Sequence, residues 1–347
     1  MTDTVRWGIL APGAIAGLLA RDLALVPDAA ITAVASRDRT RAEAFAAAHA
    51  PGARAYGDYA ALVADPEVDV VYVASPHALH LEQATLALAG GKHVLCEKPL
   101  TLDRGTAEAL VAVARAHDRF LMEAMWSACH PVWRDLARRL RAGDFGTPRQ
   151  LAADLSFVAD VGPDHRLRNP ALGGGALLDI GVYPLTFAHV LLGEALELRA
   201  TGVLDTRDAA PGVDLDVAIA GRYPGEPEVV AALRTSLTSH SPCTATIATD
   251  EGWVEVPTEF HFPSHFTFHP RDPRRGADGG TAEPVRFDPP EPVVGTGYGN
   301  EVAHVGDCLR RGLRESPLVP HAQTLTVLGQ IDDLRRQLGT HPGLTAG

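Results

Sequence analysis

At 347 residues the chain exceeds what one hydrophobic core comfortably supports, so two domains of roughly 100 to 200 residues each are expected. With 46% hydrophobic and 21% charged residues, the composition is that of an ordinary globular protein and argues against a disordered or membrane-embedded chain. Lysine and arginine number 31 against 43 acidic residues, and the net charge of -12 repels a phosphate backbone, which argues against nucleic acid as a partner.

From Met1 to Trp7 the chain runs directly into a strand pattern without the layout of a signal peptide, and no run of about 18 apolar residues follows. A cytoplasmic protein with no membrane partner is the expectation. Cys96, Cys129, Cys243 and Cys308 show no CxxC spacing, which predicts reduced thiols rather than a zinc site or a disulfide framework. No converging set of ligands predicts a metal.

In chain order, Val5 to Leu10, Ala30 to Ala35, Asp69 to Ala74, His93 to Cys96 and Phe120 to Met122 read as buried strands. Between them, Ile15 to Leu25, Thr40 to His49, His80 to Ala89 and Leu102 to Ala116 carry apolar residues at helical spacing. This alternation predicts an α/β fold with a parallel sheet, because parallel strands need crossover connections. The pattern then changes. Helical segments at Pro131 to Arg141 and Ala176 to Leu192 are interleaved with period-two stretches such as Leu215 to Ile219 and Trp253 to Val256, with a turn at Asp250-Glu251-Gly252. Residues His269 to Thr296 read as a long surface loop with a short strand at Val285 to Phe287, its basic cluster Arg271, Arg274 and Arg275 being solvated. Helices at Gly299 to Arg311 and Gln323 to Leu338 close the chain.

The expected organisation is a Rossmann dinucleotide-binding domain over residues 1–125 and, over 126–347, an α+β substrate-binding and oligomerisation domain built on a largely antiparallel sheet with an open face. Pairing of such faces predicts a homodimer or larger homo-oligomer.

The turn Gly8 to Ala16 follows the first strand and opens a helix, the context of a dinucleotide fingerprint. Ala11, Gly13 and Ala16 stand where three glycines are expected; Gly13 allows close approach to a pyrophosphate, Ala16 is small enough for tight helix packing, and Ala14 and Ile15 start the helix. At the end of the second strand Ser36-Arg37 occupies the place of the acid that binds a ribose 2'-hydroxyl. A hydroxyl and a guanidinium there suit a 2'-phosphate, so NADP is expected over NAD.

Cys96-Glu97-Lys98-Pro99-Leu100, Ser75-Pro76-His77-Ala78-Leu79-His80 and Gly173 to Tyr183, taken with the N-terminal motif, resemble the Gfo/Idh/MocA family of oxidoreductases over nearly the whole chain. Within it the chain is most similar to dimeric dihydrodiol dehydrogenases and NADP-dependent D-xylose 1-dehydrogenases, which carry tyrosine four residues after the aspartate, here Tyr183 after Asp179. Met122 to Trp126 resembles their sixth-strand segment, whereas Ser127 to Pro131 departs from the arginine and aromatic of many relatives. The resemblance implies hydride transfer between the nicotinamide and a carbinol carbon of a sugar or cyclic diol. It implies Lys98, Asp179 and Tyr183 as catalytic residues, and Ser75, Pro76, His77, His80 and Glu97, with Lys98, beside the cofactor. Trp126, His165 and Arg166 are candidate substrate-pocket residues.

The residue chemistry agrees. A tyrosine of ordinary pKa near 10 is a poor base at neutral pH, and an adjacent ammonium favours its phenolate. Four-residue spacing puts Asp179 and Tyr183 on one helix face. A dinucleotide-binding regulator without activity and an NAD-recycling glycosidase share this fold; the retained Lys98, Asp179 and Tyr183 argue against the first, and Ser36-Arg37 against the second.

Overall fold

Apolar segments too short to be helices pair edge to edge in the first part of the chain, and helices cover both faces of the resulting sheet. The computed structural model describes residues 4–205, 212–272 and 282–341; Arg274 and Arg275 of the basic cluster lie outside the described residues. The chain divides into two units, Met1–His130 with Val293–Leu325, and Pro131–Pro292 with Thr326–Gly347.

In the first unit β1 (Val5–Leu10), α1 (Ala14–Leu23), β2 (Ala29–Ala35), α2 (Arg39–His49), β3 (Arg54–Tyr56), α3 (Tyr59–Val63), β4 (Val70–Val73), α4 (His80–Ala89), β5 (His93–Glu97), α5 (Arg104–Ala116) and β6 (Leu121–Ala124) follow one another. A short helix, α6 (Trp126–Cys129), comes next. The six strands pair in parallel in the order β3-β2-β1-β4-β5-β6. Successive crossovers therefore leave β1 and β4 in opposite directions, which opens a crevice at their carboxyl ends. Aspartates start three of the helices: Asp38, Asp58 and Asp103 accept from the backbone N–H groups of Thr40, Ala61 and Thr106. The sequence analysis assigned no element between His49 and Asp69. At three and five residues, β3 and α3 are too short to show a period.

The second unit starts with α7 (Pro131–Ala142) and β7 (Pro148–Ser156), continues through α8 (Val182–Leu192), β8 (Glu197–Asp205), β9 (Val213–Tyr223), β10 (Val229–Ser236), β11 (Ala245–Thr249) and β12 (Gly252–Val256), and adds β13 (Phe266–Pro270) and β14 (Val285–Phe287). Its eight strands run β14-β13-β12-β11-β7-β10-β9-β8; β7 and β10 are parallel, every other neighbouring pair antiparallel. β13 begins before His269, so the expected loop is shorter at its start. Along β9 and β10 burial alternates: Val217, Ile219, Ala231 and Leu233 face the core, while Ala218, Ala220, Val230 and Ala232 face solvent. α8 packs against β7 and β10 on the covered face. Among the described residues, the one helical segment long and apolar enough to cross a membrane is Pro170–Leu192, and 83% of its apolar window is buried inside the protein.

Two helices close the chain, α9 (Tyr298–Arg310) and α10 (His321–Leu338). α9 belongs to the first unit, and one carboxylate explains why. Asp22, buried on α1, accepts from the N–H groups of Thr296 and Tyr298 at 2.7 and 3.1 Å and from the Thr296 hydroxyl at 3.0 Å, so it caps a helix more than 270 residues away. Gly295 beside it has φ +64°, and a Cβ there would strike the Asp22 carboxylate.

Candidate active site

The turn after β1 bears the strain its sequence implies. Ala11 has φ 59°, a left-handed conformation that costs a residue with a Cβ about 1–2 kcal/mol, and its N–H donates to the Ala35 carbonyl at 3.1 Å. Gly13 precedes α1, and no side chain caps that helix. A Cβ on Gly13 would meet nothing nearer than the Ala11 carbonyl at 3.9 Å, so the chain's own packing does not demand glycine there. Gly13 and Ala14 are exposed and Ile15 half-buried, which leaves the first N–H groups of α1 open to an anion.

At the end of β2, Ser36 is buried and Arg37 exposed. The Asp38 carboxylate is committed to α2: it accepts from the Thr40 hydroxyl and, at 3.0 Å, from the Thr40 N–H, and these bonds hold it below the usual carboxylate range. Arg37 makes no side-chain hydrogen bond or ion pair among the described residues.

After β4 the Ser75 hydroxyl is buried without a partner among the described residues. Pro76 leads into a 3₁₀ turn, His77–Leu79, and the buried His77 ring lies 5.7 Å from that of His80. His80 is fully enclosed. Its Nδ1 and Nε2 lie 2.9 and 2.8 Å from the carbonyl oxygens of Pro99 and Ser75, tying the loop after β4 to the turn after β5. Burial lowers its pKa, while the two carbonyl contacts act the other way.

That turn begins at the buried Glu97, which accepts from the Tyr72 hydroxyl and from the Lys98 N–H at 3.2 Å. Lys98 is half-buried. On β6 the buried Glu123 accepts from the Leu100 N–H at 3.0 Å and the Thr324 hydroxyl at 2.7 Å. Trp126 is nearly buried and stacks on Tyr298, ring centroids 4.3 Å apart.

In the second unit the helix expected from Ala176 is interrupted. Leu177–Gly181 forms a π-turn before α8. Pro184 can neither donate to Ile180 nor fit its ring beside that carbonyl in a regular helix, so the preceding turn widens. Asp179 lies in the π-turn, buried, with an ion pair to Arg166 at 2.7 Å. Tyr183, also buried, has its ring 5.2 Å from that of His261. His165 is exposed and accepts from the Leu167 N–H at 3.3 Å.

The first unit thus carries Ala11, Gly13, Ala14, Ile15, Ser36, Arg37, Ser75, Pro76, His77, His80, Glu97, Lys98 and Trp126, and the second carries His165, Arg166, Asp179 and Tyr183. Sequence reasoning passed over Glu123, Glu301 and His261. A glutamate inside the apolar strand Leu121–Ala124 was a legible signal, as was Glu301 on the same helical stripe as Tyr298, Val305 and Cys308. His261 had none.

The residues of the first unit fit a dinucleotide at three points: an uncapped helix start, a glycine with open space where its Cβ would be, and a buried hydroxyl awaiting a partner. Comparison with known proteins agrees. Residues 5–125 match the model of an oxidoreductase family with an NAD-binding Rossmann fold, and residues 133–255 match a GFO/IDH/MocA C-terminal domain. The chain is 34% identical to the D-xylose 1-dehydrogenase (NADP(+)) of Hypocrea jecorina, covering 98% of this chain and 94% of that protein. It is 33% identical to the trans-1,2-dihydrobenzene-1,2-diol dehydrogenase of Xenopus tropicalis, covering 97% and 99%. A solved 3-ketoreductase from Actinomadura kijaniata, in complex with NADP and TDP-benzene, superposes with a TM-score of 0.78 at 29% identity over 96% of this chain and 98% of that one. With residues 5–125 and 133–255 matching the family's two domains and relatives 33% and 34% identical over nearly its full length, the chain belongs to the Gfo/Idh/MocA family of oxidoreductases.

Proposed function

We propose that the chain is an NADP-dependent dehydrogenase that moves hydride between the nicotinamide and a carbinol or carbonyl carbon of a sugar or cyclic diol, of the D-xylose or trans-dihydrodiol type. The substrate class is supported by the two dehydrogenases it resembles over nearly their whole length. One observation carries the cofactor choice: the acid after β2, Asp38, is spent capping α2, while the Arg37 guanidinium beside it makes no hydrogen bond or ion pair among the described residues.

When bound, NADP supplies a hydride acceptor or donor at its nicotinamide. In this reading Ala11, Gly13, Ala14 and Ile15 receive the pyrophosphate, and Ser36 and Arg37 the 2'-phosphate. Ser75, Pro76, His77 and Glu97 flank the cofactor's other end, and His80 holds their loops from behind. Tyr183 takes the substrate hydroxyl proton, the Lys98 ammonium stabilises the phenolate and donates to the reacting oxygen, and Asp179 orients the pair. Trp126, Arg166 and His165 line the substrate. Residues 1–125 serve the cofactor, and 126–347 the substrate and assembly.

The same reading makes the protein a cytoplasmic homodimer. Four buried cysteine thiols, none in a disulfide, suit a reducing compartment. The small and apolar residues Ala218, Ala220, Val230 and Ala232 on the open face of the second sheet suit pairing with a second copy. Light scattering at micromolar concentration should give the mass of a dimer; a monomer refutes the assembly.

Arg37→Ala should weaken NADP binding by about 1–3 kcal/mol, the scale for losing a charge-assisted partner, and leave NAD binding nearly unchanged. Titrating both cofactors decides it, and equal losses would remove Arg37 from the 2'-phosphate. Tyr183→Phe keeps the ring but removes the proton acceptor, so turnover with D-xylose or a trans-dihydrodiol, followed as NADPH absorbance, should fall roughly 100-fold to 10,000-fold with cofactor affinity intact. In the unaltered enzyme oxidation should rise with pH through an apparent value below that of free tyrosine. Near-normal turnover of Tyr183→Phe would move the proton role elsewhere.

A further inference from the structure

We propose that Asp214, a buried carboxyl on β9, is a positioning residue: it fixes the segment 174–183 that bears Asp179 and Tyr183 and holds it in register with the stretch that bears Arg166. The proposal rests on the reading of Asp179 and Tyr183 as catalytic groups.

Asp214 is 1% exposed, and its Oδ2 accepts from the Leu177 N–H at 2.6 Å across 37 residues of sequence. Leu177 lies in the first turn of its helical segment, where an N–H has no carbonyl within the helix to bond and must find an acceptor elsewhere. The π-turn Leu177–Gly181 therefore begins on a point fixed by another element.

The glycines before that turn carry the fixed point further. Gly175, at φ +116°, passes so close to Asp214 that a Cβ there would lie 2.6 Å from Oδ1. Its N–H donates to the Leu167 carbonyl at 3.0 Å, and its own carbonyl accepts from the Asp179 N–H at 3.2 Å. Gly174 donates to the Asn169 carbonyl at 3.0 Å, and a Cβ on it would lie 3.0 Å from the Leu167 carbonyl oxygen. Two glycine peptides thus join the Arg166 stretch to the Asp179 turn, with the Asp214 carboxyl set against the second of them. The Arg166–Asp179 ion pair at 2.7 Å spans the same junction.

What Asp214 supplies is an acceptor oxygen. Burial raises its pKa, whereas the bond from the Leu177 N–H acts the other way, and a protonated carboxyl still offers that N–H a lone pair. Removing the oxygen leaves the buried Leu177 N–H unpaired and the Gly175 peptide without its stop, so Asp179 and Tyr183 shift. A displacement of about 1 Å at reacting groups costs about 100-fold in rate.

Asp214→Ala should lower kcat roughly 10-fold to 100-fold with NADP affinity unchanged, whereas Asp214→Asn, which keeps an oxygen for the Leu177 N–H, should recover most of the loss. Equal losses in the two variants would overturn the acceptor role, and an unchanged kcat in Asp214→Ala would overturn the positioning role. A double-mutant cycle with Asp179→Ala separates positioning from a general weakening of the fold. If Asp214 acts through Asp179, Asp214→Ala should cost no more than about 3-fold in the Asp179→Ala background, and fully multiplicative losses would contradict it. Should Asp214→Ala fail to fold, Asp214→Ser, whose hydroxyl stands one bond nearer the backbone, replaces it in each comparison. Hydrogen exchange reads the contact whatever the reaction: the Leu177 amide should exchange faster in the Ala or Ser variant than in Asp214→Asn, and equal rates would overturn the proposal. Full turnover in both Asp179→Ala and Tyr183→Phe would instead overturn the catalytic reading on which the positioning role depends, leaving the exchange result standing.

Discussion

Parallel strands all end on the same side of their sheet, and much of the proposed chemistry of this protein follows from that constraint. In the first sheet it gathers Ala11 to Gly13 from β1, Ser36 and Arg37 from β2, Ser75 from β4, Glu97 and Lys98 from β5 and Glu123 from β6 along one edge, although more than a hundred residues of sequence separate the first from the last. No one of these residues is distinctive by itself. Their convergence is, because it places an uncapped helix start, a partnerless hydroxyl and a lysine-bearing turn on the same rim.

The edge is completed from far along the chain. Asp22 caps α9, and α9 brings Tyr298 onto Trp126. A buried carboxylate with three donors is stable, and one with none is not, so Asp22 and Glu301 illustrate opposite uses of the same chemical group on neighbouring helices.

Much of this was legible in sequence. Buried strands of four to seven residues between amphipathic helices gave the parallel sheet, and the alternation in Leu215 to Ile219 and Trp253 to Val256 gave the second sheet with one open face. Glycine and proline punctuation located the turns at Ala11 to Gly13 and Asp250 to Gly252. The π-turn at Asp179 was not legible, since a helical period persists through it and only Pro184 hints at the break. Nor was the role of Asp38, whose capping bond depends on where β2 ends, a boundary that periodicity fixes only to within a few residues. The link between α9 and the first sheet rests on a contact across nearly the whole chain, which local pattern cannot carry.

The central claim is that this chain transfers hydride from a carbinol carbon to the nicotinamide, and isotope transfer tests it most directly. With C1-deuterated D-xylose, or a trans-dihydrodiol deuterated at its carbinol carbons, and NADP, mass spectrometry of the reduced cofactor should find one deuterium per NADPH formed, in step with substrate oxidation. Deuterium appearing in solvent, or a product formed with no deuterium in the cofactor pool, would contradict the account.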